Sequence, residues 1–531
     1  MSAHIPTPVK AHLIGGGIAS LAAAAILIRD GDMRGIDITI YEELPHLGGS
    51  LDGTGNAQQG YIVRGGRMLE SKYVCTYDLF DSIPTLDKTK TVTEEILEWN
   101  RVIQTCSRSR LVRSSQRIDA PEFGLDEHHI LALEALMIES EGIVGDSSIR
   151  DHFDDAFFRT NFWLMWCTTF AFQPWHSAVE FKRYLARFTH MVKGFNQLHG
   201  IMRTIYNQYD SMILPLRTWL EEHGVAFELD TEVTDLEFTA NGFEKTVSAI
   251  HCKNSGRHVR IAVGPDDLVV ATLGSMTEDS DVGSMDQPPA LHQDQQHGTW
   301  ALWKNLARGR PELGHPDVFA NHIQESKWIS FTITAKQPTL FQIVRDLTGN
   351  VPGEGGLITF ADSRWLLSIV LPHQPHFIGQ PKDVQVLWGY ALNVDTHGDF
   401  VDKPMTACNG RELLAELLGH LGVSDHRKDD IIESSICLPC MMPYITSQFL
   451  RRKKGDRPAI RPAGYSNLAI VGQFCEQPDD VVFTVEYSVR SAMSAVYSLL
   501  GLSKTPPAVY KGQFNPAKLF AAQRALHGKI A

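Results

Sequence analysis

The chain has 531 residues, too many for one simple core, so two to four lobes are expected. Its net charge of −13 argues against a general nucleic-acid binder, because phosphate binding needs a surface rich in Lys and Arg. Eight cysteines in a chain of this length do not make a disulfide framework, which favours a cytoplasmic protein, and without an HExxH motif no metal is expected.

The N-terminal segment has the pattern of a dinucleotide-binding unit. An apolar strand over residues 9–14 is followed by Gly15-Gly16-Gly17-Ile18-Ala19-Ser20 and an apolar helix over 20–29. Gly15 permits a tight turn, Gly17 lets the backbone approach a pyrophosphate, and the small Ser20 allows close packing of helix and strand. A second strand over 36–41 ends at Glu42, whose carboxylate is expected to accept the hydroxyl groups of an adenosine ribose.

Three distant segments resemble the flavin-binding parts of flavoproteins with two dinucleotide-binding domains. The first, residues 47–53, contains Gly49 and Ser50 in what looks like a second phosphate-contacting loop. The second is a strand over 267–272 followed by Ser275, and the third is a strand over 467–472 followed by a helix over 483–500 that Phe483 opens. Val233 is assigned to the adenine on this resemblance alone. A turn or a helix cap explains each segment by itself, but their joint order favours FAD over NAD.

The most distinctive motif is RGGRMLESKYVCTYDLFDSIPTLD, over residues 64–87. Gly65 and Gly66 permit close approach of the backbone to a flavin ring, and Arg67 supplies charge. The motif resembles that of the oleate hydratases, also called myosin-cross-reactive antigens, which are FAD proteins that add water to the double bond of an unsaturated fatty acid. The resemblance runs from residue 9 to about residue 500 and implies FAD as the cofactor and an unsaturated free fatty acid as the substrate.

This resemblance also implies a fold and a division of the chain. The expected fold is α/β, with an FAD-binding Rossmann-like domain, a helical insertion and a mixed α+β substrate domain. The FAD-binding domain is expected to comprise residues 1–105, 208–278 and 462–502. Residues 106–207, rich in aromatic residues at helical spacing, are expected to form a helical cap. Residues 279–461 would form the substrate-binding domain and residues 503–531 a C-terminal tail.

Hydration of an isolated alkene requires an acid that protonates one carbon and a base that activates water for the other. On the resemblance, Tyr184 is the candidate proton donor, and the base is a glutamate at the position where this chain has Met68. Three alternatives follow for the base. Glu70 takes over, although on a helix it would lie about 200° from Met68; a backbone carbonyl or a distant carboxylate orients the water; or the activity is weak. A purely structural role, an ion pair with Arg64, Arg67 or Lys72, would also explain why Glu70 is present at this position.

Residues 374–377, Gln-Pro-His-Phe, resemble the substrate-domain motif of the same family. The resemblance assigns Gln374 and His376 to substrate binding, since the family's histidine helps to hold the fatty-acid carboxylate together with a Thr and an Asn just upstream. Those two positions are Val370 and Pro372 here. The carboxylate is therefore expected to be held differently, by His373 or by a basic residue from another lobe, and a structural role for His376 stays open.

Two other functions remain open from the sequence. One is a flavin-dependent oxidoreductase that acts on an apolar or lipid substrate, and the other is a weakly active or non-enzymatic fatty-acid-binding flavoprotein. A monomer or weak homodimer is expected, because many family members carry an N-terminal dimerisation extension that is reduced here. No run of about 20 apolar residues marks a membrane span, but a basic amphipathic helix over 516–531 leaves peripheral membrane contact open.

Overall fold

The computed structural model describes residues 9–119, 121–293 and 297–528. Within these ranges the chain forms 20 strands: β1 Ala11–Ile14, β2 Ile38–Tyr41, β3 Gly53–Asn56, β4 Gly60–Val63, β5 Leu69–Glu70, β6 Ser109–Arg113, β7 Gln116–Asp119, β8 Ile201–Met202, β9 Ala226–Glu228, β10 Thr231–Asn241, β11 Glu244–Asn254, β12 Arg257–Ala262, β13 Leu268–Thr272, β14 Asp281–Val282, β15 Trp328–Ala335, β16 Leu357–Phe360, β17 Ser368–Val370, β18 Gln385–Ala391, β19 Ser435–Met442 and β20 Leu468–Val471.

The same described ranges contain 16 α-helices: α1 Ile18–Arg29, α2 Val74–Phe80, α3 Val92–Val102, α4 Glu127–Ile138, α5 Glu141–Val144, α6 Asn161–Phe170, α7 Ala178–Phe188, α8 Leu214–Glu222, α9 Gly298–Ala307, α10 Asp317–Ala320, α11 Ile323–Ser326, α12 Thr339–Thr348, α13 Gly410–His420, α14 Asp425–Glu433, α15 Val485–Leu499 and α16 Pro516–Leu526. A 3₁₀ helix, Thr189–Gln197, follows α7 directly.

A five-stranded parallel sheet, in the order β20-β13-β1-β2-β9, carries the glycine-rich turn. Strand β1 pairs along its whole length with β13 and β2, and all four of its residues are buried. Helix α1 is buried from Ile18 to Leu27, so it packs on β1 and on α15. Parallel strands covered on both faces form apolar runs in a sequence, which explains why the predicted bounds of β1, β2, β13 and β20 agree closely with those observed.

A second sheet of eight mainly antiparallel strands has the order β14-β19-β15-β18-β17-β16-β6-β7. Strand β15 is buried along its whole length, and the hairpin of β3 and β4 packs on it through the Tyr61 N–H group, which donates to Thr334 Oγ1 at 2.8 Å. Strands β6 and β7 belong to this sheet, so the expectation that residues 106–207 are helical is wrong at the start of that range. Strand β6 pairs with the distant β16, and a local sequence pattern cannot indicate such a partner.

The rest of residues 106–207 is largely helical and carries an aromatic cluster. The rings of Trp166, Phe170, Phe181, Tyr184 and Phe195 contact one another at centroid separations from 4.9 to 6.0 Å. Trp166 and Phe181 are part of the core, whereas Phe170 and Tyr184 also line a cavity. The aromatic stretch is therefore both core and cavity wall.

The C-terminal tail ends in α16, where the Asn515 side chain accepts the N–H groups of Ala517 and Lys518. The buried side of this helix packs on the 3₁₀ helix, while Leu519 and Phe520 are exposed. The predicted helix extended to residue 531, and residues 529–531 lie outside the described residues. No helix in the described part of the chain combines the length and the apolar character needed to cross a membrane.

Candidate active site

The glycine-rich turn between β1 and α1 opens onto a cavity that we call the nucleotide cavity. The expected cofactor residues in its wall are Gly15, Gly17, Ile18, Ala19, Glu42, Gly49, Ser50, Val233 and Ser275. Ser20 does not face this cavity: its hydroxyl donates to the Ile14 carbonyl at 3.3 Å, and so packs the helix against the strand. The structure thus brings the distant flavin-like segments to one place.

The turn leaves room for a phosphate group because it has no side chains. Gly15 has a φ of +93°, and a Cβ added to Gly16 would lie 2.5 Å from the Leu47 side chain. A Cβ on Gly49 would lie 3.2 Å from the Cα of Gly17. Glycine is therefore required for these close approaches, and the free N–H groups at the start of α1 suit the pyrophosphate of a dinucleotide.

Carboxyl groups that the sequence did not indicate surround Glu42. The Gly16 N–H group donates to Glu42 Oε2 at 2.5 Å, and burial raises the pKa of Glu42. Burial, followed by the negative charge of Glu42 and other nearby carboxylates, raises the pKa of Glu43 to about 7. Burial and then the charge of Glu43 raise the pKa of Glu278 well above its ordinary value. Both Glu43 and Glu278 line the nucleotide cavity, which therefore holds protonated carboxyl groups near neutral pH.

A second cavity, the reaction chamber, shares Ile18, Ser50, Met276, Gln473 and Ser488 with the nucleotide cavity. Its wall contains the expected residues Gly65, Gly66, Arg67, Met68, Glu70, Tyr184 and Phe483, and aromatic residues that sequence reasoning missed: Tyr73, Trp328, Trp388 and Tyr390. The three candidate catalytic residues thus lie on one chamber. Of the described residues that line it, only Glu70 has a carboxylate.

The backbone after Arg67 is extended, not helical. Leu69 and Glu70 form β5, which pairs with β8 in the register Leu69–Met202 and Glu70–Ile201. The separation of about 200° considered for a helix therefore does not apply to Met68 and Glu70. Met68, Leu69 and Glu70 all line the chamber.

Side chains that are distant in sequence hold Glu70. Its Oε1 lies 2.8 Å from Arg187 Nη1, its Oε2 lies 3.5 Å from His190 Nε2, and Oε2 accepts the backbone N–H group of Lys72 at 2.6 Å. Among the described residues, Glu70 forms no ion pair with the side chains proposed from the sequence: Arg64, Arg67 or Lys72. Arg187 lies in the same segment as Tyr184, residues 182–188, but no role was predicted for it or for His190, and only the tertiary structure places the two beside Glu70.

The ion pair of Glu70 and Arg187 continues into the protein. Arg187 Nε lies 3.7 Å from Asp480, which pairs with Arg490 at 2.7 Å, and Arg490 pairs with Glu486 at 2.9 Å. All five side chains are buried. Burial costs each charge its hydration, and in this chain of contacts every charge has an opposite charge beside it.

Tyr184 lines the chamber, but its hydroxyl proton is used in a hydrogen bond to the backbone. Its O–H group donates to the Val482 carbonyl at 2.5 Å, and burial raises its pKa well above the usual value. In this conformation Tyr184 is a weak acid with an engaged proton. Tyr73 presents a second phenol to the same chamber.

Arg67 stands between the reaction chamber and a third cavity. Its Nη2 donates to the Ser50 carbonyl at 3.1 Å, its guanidinium carbon lies 5.4 Å from the centre of the Phe483 ring, and burial lowers its pKa to about 10. A Cβ on Gly66 would come within 2.7 Å of the Trp388 ring. The glycines of the motif thus let this loop lie against aromatic walls.

The third cavity, the distal cavity, contains His376 together with His373, Trp99 and Arg203. Val370 and Pro372, at the two positions expected to differ from the family, also line it. Burial, and then the nearby charges of Arg203 and His373, lower the pKa of His376 to about 3, so this imidazole is neutral. The sequence prediction did not name Arg203, although it stands only three residues before the family-like segment that begins at Tyr206.

Gln374 is the one proposed substrate residue that the structure does not bring to the site. It is absent from the walls of the three cavities, and its amide is used by the backbone. Its Oε1 accepts the Val386 N–H group at 2.9 Å, and its Nε2 donates to the Val386 carbonyl at 2.8 Å and to the Pro372 carbonyl at 3.1 Å. The substrate role of Gln374 stays a prediction, and in this structure its amide holds neighbouring backbone together.

One group of potential metal ligands occurs among the described residues: Asp399, Glu416 and His420, with ligand atoms within 4.8 Å of one another. Both oxygens of Glu416 accept backbone N–H groups, from Asp399 at 2.7 Å and from Phe400 and Val401 at 2.8 Å. This group holds a loop in place and lies apart from the three cavities.

Comparison with known proteins resolves the family. A model of the MCRA family matches residues 8–497. The chain belongs to this family. An oleate hydratase from Streptococcus pyogenes serotype M49 (strain NZ131) is 38% identical over 534 residues, 98% of this chain and 90% of that protein. A linoleate hydratase from Lactiplantibacillus plantarum is 34% identical over 547 residues, 94% of this chain and 95% of that protein. The resemblance stated from the motif over residues 64–87 is confirmed.

The fold is shared more widely. The structure of a putrescine oxidase with bound putrescine superimposes with a TM-score of 0.53 at 11% identity, covering 93% of this chain and 99% of that one. At this identity only the fold is comparable. The predicted α/β fold with a Rossmann-like parallel sheet is confirmed, and it is the fold of known flavoproteins.

Proposed function

We propose that the protein is an FAD-dependent hydratase that adds water to the cis double bond of an unsaturated free fatty acid, as in the conversion of oleate to 10-hydroxystearate. One observation carries the proposal. The family motif, the chamber's carboxylate Glu70 and the phenol of Tyr184 lie on one apolar cavity, which adjoins a dinucleotide-binding turn. The relatives named as oleate and linoleate hydratases support the same reaction.

FAD fits the residues of the nucleotide cavity. Side chains at Gly16 or Gly49 would fill the space beside the turn, and Glu42 offers carboxylate oxygens at the expected ribose position. Bound there, the cofactor would supply a planar, polarisable surface to the adjoining chamber without net electron transfer. The residues proposed to hold it are Gly15, Gly17, Ile18, Ala19, Glu42, Gly49, Ser50, Gly65, Gly66, Arg67, Met68, Val233, Ser275 and Phe483.

Glu70 is proposed as the base that activates water. Met68 has no basic atom, and the described walls of the reaction chamber offer no other carboxylate. The ion pair with Arg187 at 2.8 Å holds Glu70 in one orientation. A proton-accepting side chain of this kind typically contributes a factor of about 10² to 10⁴ to a rate.

Tyr184 is proposed as the proton donor to the alkene, with Tyr73 as the competing phenol. The phenol of Tyr184 would have to turn from the Val482 carbonyl towards the chamber before it gives up its proton. Substitution by phenylalanine at each position distinguishes the two. Loss of hydration in Tyr184→Phe with retention in Tyr73→Phe supports the assignment, and the reverse pattern contradicts it.

The carboxylate of the fatty acid is proposed to bind in the distal cavity between Arg203 and His376. The Nε and Nη2 atoms of Arg203 are buried without a hydrogen-bond partner, and burial lowers the pKa of this guanidinium to about 10. A buried cation without an anion is costly, and a bound carboxylate would remove that cost. Arg203 would then serve in place of the hydrogen-bonding pair that Val370 and Pro372 do not provide.

The fold similarity to a putrescine oxidase supports a second candidate, a flavin-dependent oxidoreductase acting on an apolar substrate. One experiment separates the two. The protein is incubated anaerobically with oleate, FAD and a reductant in H₂¹⁸O. A hydroxy acid that carries ¹⁸O supports the hydratase, whereas substrate-dependent flavin reduction or reoxidation without labelled product supports the oxidoreductase. Binding of oleate without either reaction would leave a fatty-acid-binding flavoprotein.

Peripheral membrane contact and a monomeric or weakly dimeric state complete the proposal. Leu519 and Phe520 on α16 are 43% and 63% exposed, beside Lys518, which suits a surface that touches a bilayer. Sedimentation with anionic vesicles tests the contact, and light scattering at low micromolar concentration tests the state. No binding, or a tight dimer, would contradict the respective statement.

A further inference from the structure

The contacts of the proposed base, Glu70, lead from the protein interior towards the surface. Glu70 lines the reaction chamber and is 1% exposed, and its Oε2 lies 3.5 Å from Nε2 of His190. The His190 side chain is 11% exposed, and its Nδ1 is buried without a hydrogen-bond partner. A neutral imidazole carries a proton on one nitrogen and accepts one on the other, so His190 can pass a proton between its two sides.

The C-terminal tail covers the outer side of His190. The Tyr510 ring meets the imidazole edge-on at a centroid separation of 5.0 Å. Tyr510 also lines a surface groove with Lys72 and Phe514, and the Lys72 ammonium lies 5.3 Å from the Tyr510 ring centre. Only one aromatic side chain therefore separates the imidazole from a groove that is open to solvent.

Two contacts hold this part of the tail in place. Lys511 Nζ pairs with Asp479 at 2.9 Å, and Arg490 donates to the Pro507 carbonyl. Arg490 also pairs with Asp480, whose other oxygen lies 3.7 Å from Arg187. The tail is thus attached to the same buried charges that hold Glu70.

We propose that His190 transfers protons between Glu70 and solvent, a role that we call the proton port of the reaction chamber. The tail segment around Tyr510 covers this port. The inference rests on the proposed function and on Glu70 as the base. When the oxygen of water bonds to carbon, a water proton moves to Glu70. The carboxylic acid passes a proton to Nε2 of His190, and the proton of the buried Nδ1 atom reaches solvent past Tyr510. Proton exchange with solvent then returns the ring to its starting tautomer. The phenol that protonated the other alkene carbon regains its proton from solvent, so no net proton is consumed.

The port explains why Glu70 has a titratable partner as well as a guanidinium. Arg187 already pairs with Glu70 at 2.8 Å, and His190 adds a group that can accept and release a proton. The other charged or titratable groups around the pair are Arg187, Lys72, Tyr73, Tyr77 and Tyr510, and of these Lys72 and Tyr510 line the surface groove. His190 acts only through Glu70 and does not touch the substrate, since it is absent from the chamber wall.

Chemical rescue tests the port. His190→Ala is expected to lower the hydration rate at least tenfold in a bulky buffer, and imidazole is expected to restore it in a saturable manner. Pyrazole has the ring size of imidazole but is far less basic, so it can fill the space without carrying a proton. Equal rescue by pyrazole, or no loss in His190→Ala, would overturn the proposal. His199→Ala, an exposed histidine near the end of the same 3₁₀ helix, is the matched control and should keep the wild-type rate.

The cover is tested in the same assay. Tyr510→Ala combined with His190→Ala should reach half-maximal rescue at a several-fold lower imidazole concentration, and an unchanged concentration would contradict the cover. A separate measurement needs no turnover, so it distinguishes failure of the port from failure of the hydratase assignment. The ¹⁵N spectrum of the His190 ring should change in Glu70→Gln, because that pairing selects the proton position. An unchanged spectrum overturns the port even if hydration is observed.

Discussion

The reaction chamber and the distal cavity differ in how their buried charges are paired. Beside the chamber, Glu70, Arg187, Asp480, Arg490 and Glu486 form a continuous series in which each charge faces an opposite one. In the distal cavity, Arg203 has no ion-pair partner among the described residues. The first arrangement is complete in the protein alone and fixes geometry, whereas the second becomes complete only with an anionic ligand.

Removing the chamber's carboxylate is expected to have the largest effect. Glu70→Gln should lower kcat roughly 10²- to 10⁴-fold, because the base is lost. It should also reduce stability by about 3–5 kcal/mol, because Arg187 loses the nearer of its two carboxylate partners. Initial rates and thermal unfolding measure the two effects separately.

Glu486→Gln is the matched control for that change. Glu486 is buried in the same series of charges but does not line the chamber. A similar loss of stability with a kcat within about threefold of wild type would show that destabilisation does not cause the loss of kcat in Glu70→Gln. A parallel collapse of kcat in both variants would mean that the series acts only as scaffold.

Removing the unpaired cation should act on binding instead. Arg203→Gln should raise KM for oleate roughly 30- to 1000-fold, the range expected when a buried charge contact of about 2–4 kcal/mol is lost. The KM for oleyl alcohol should change little, and stability should not fall. Arg101→Gln, an exposed arginine on α3 close to Trp99, serves as the control. Equal effects on acid and alcohol would remove Arg203 from carboxylate binding.

In the nucleotide cavity, buried carboxyl groups lie beside one another. Burial and then their mutual repulsion raise the pKa values of Glu43 and Glu278, which favours their protonated forms. Because the pKa of Glu43 is raised to about 7, its contribution to stability is present at low pH and is lost as pH rises through 7. Glu43→Gln should therefore reduce the loss of stability between pH 5 and pH 8 by roughly 1–3 kcal/mol. Denaturant unfolding at both pH values measures it, and an unchanged slope would show that Glu43 is ionised throughout.

Met68→Glu is expected to have the smallest effect. A second carboxylate would lie on the same chamber as Glu70, where like charges disfavour ionisation of both. We expect a hydration rate within about threefold of wild type. A rise of more than tenfold would instead show that water activation passes through the loop at Met68 and would remove Glu70 from that role.

The sequence was most informative where function depends on backbone. The glycine-rich turn and the segments around Ser50, Ser275 and Phe483 could be recognised because glycine and small residues are required at close approaches, and such requirements leave motifs. Tyr184 and Met68 could be placed by the family resemblance. Gln374 is a different case, since a motif position does not reveal that its amide is already bonded to Val386.

The family, the α/β fold and the bounds of the parallel sheet could be predicted from the residues alone, because buried strands and glycine turns are local patterns. Which charges meet became visible only in the folded chain. No role was predicted for Arg187, His190 or Arg203, and strand β6 gave no sign of its partner β16. The physical reason is that ion pairing and strand pairing join segments far apart in the chain, and no single segment records its partner.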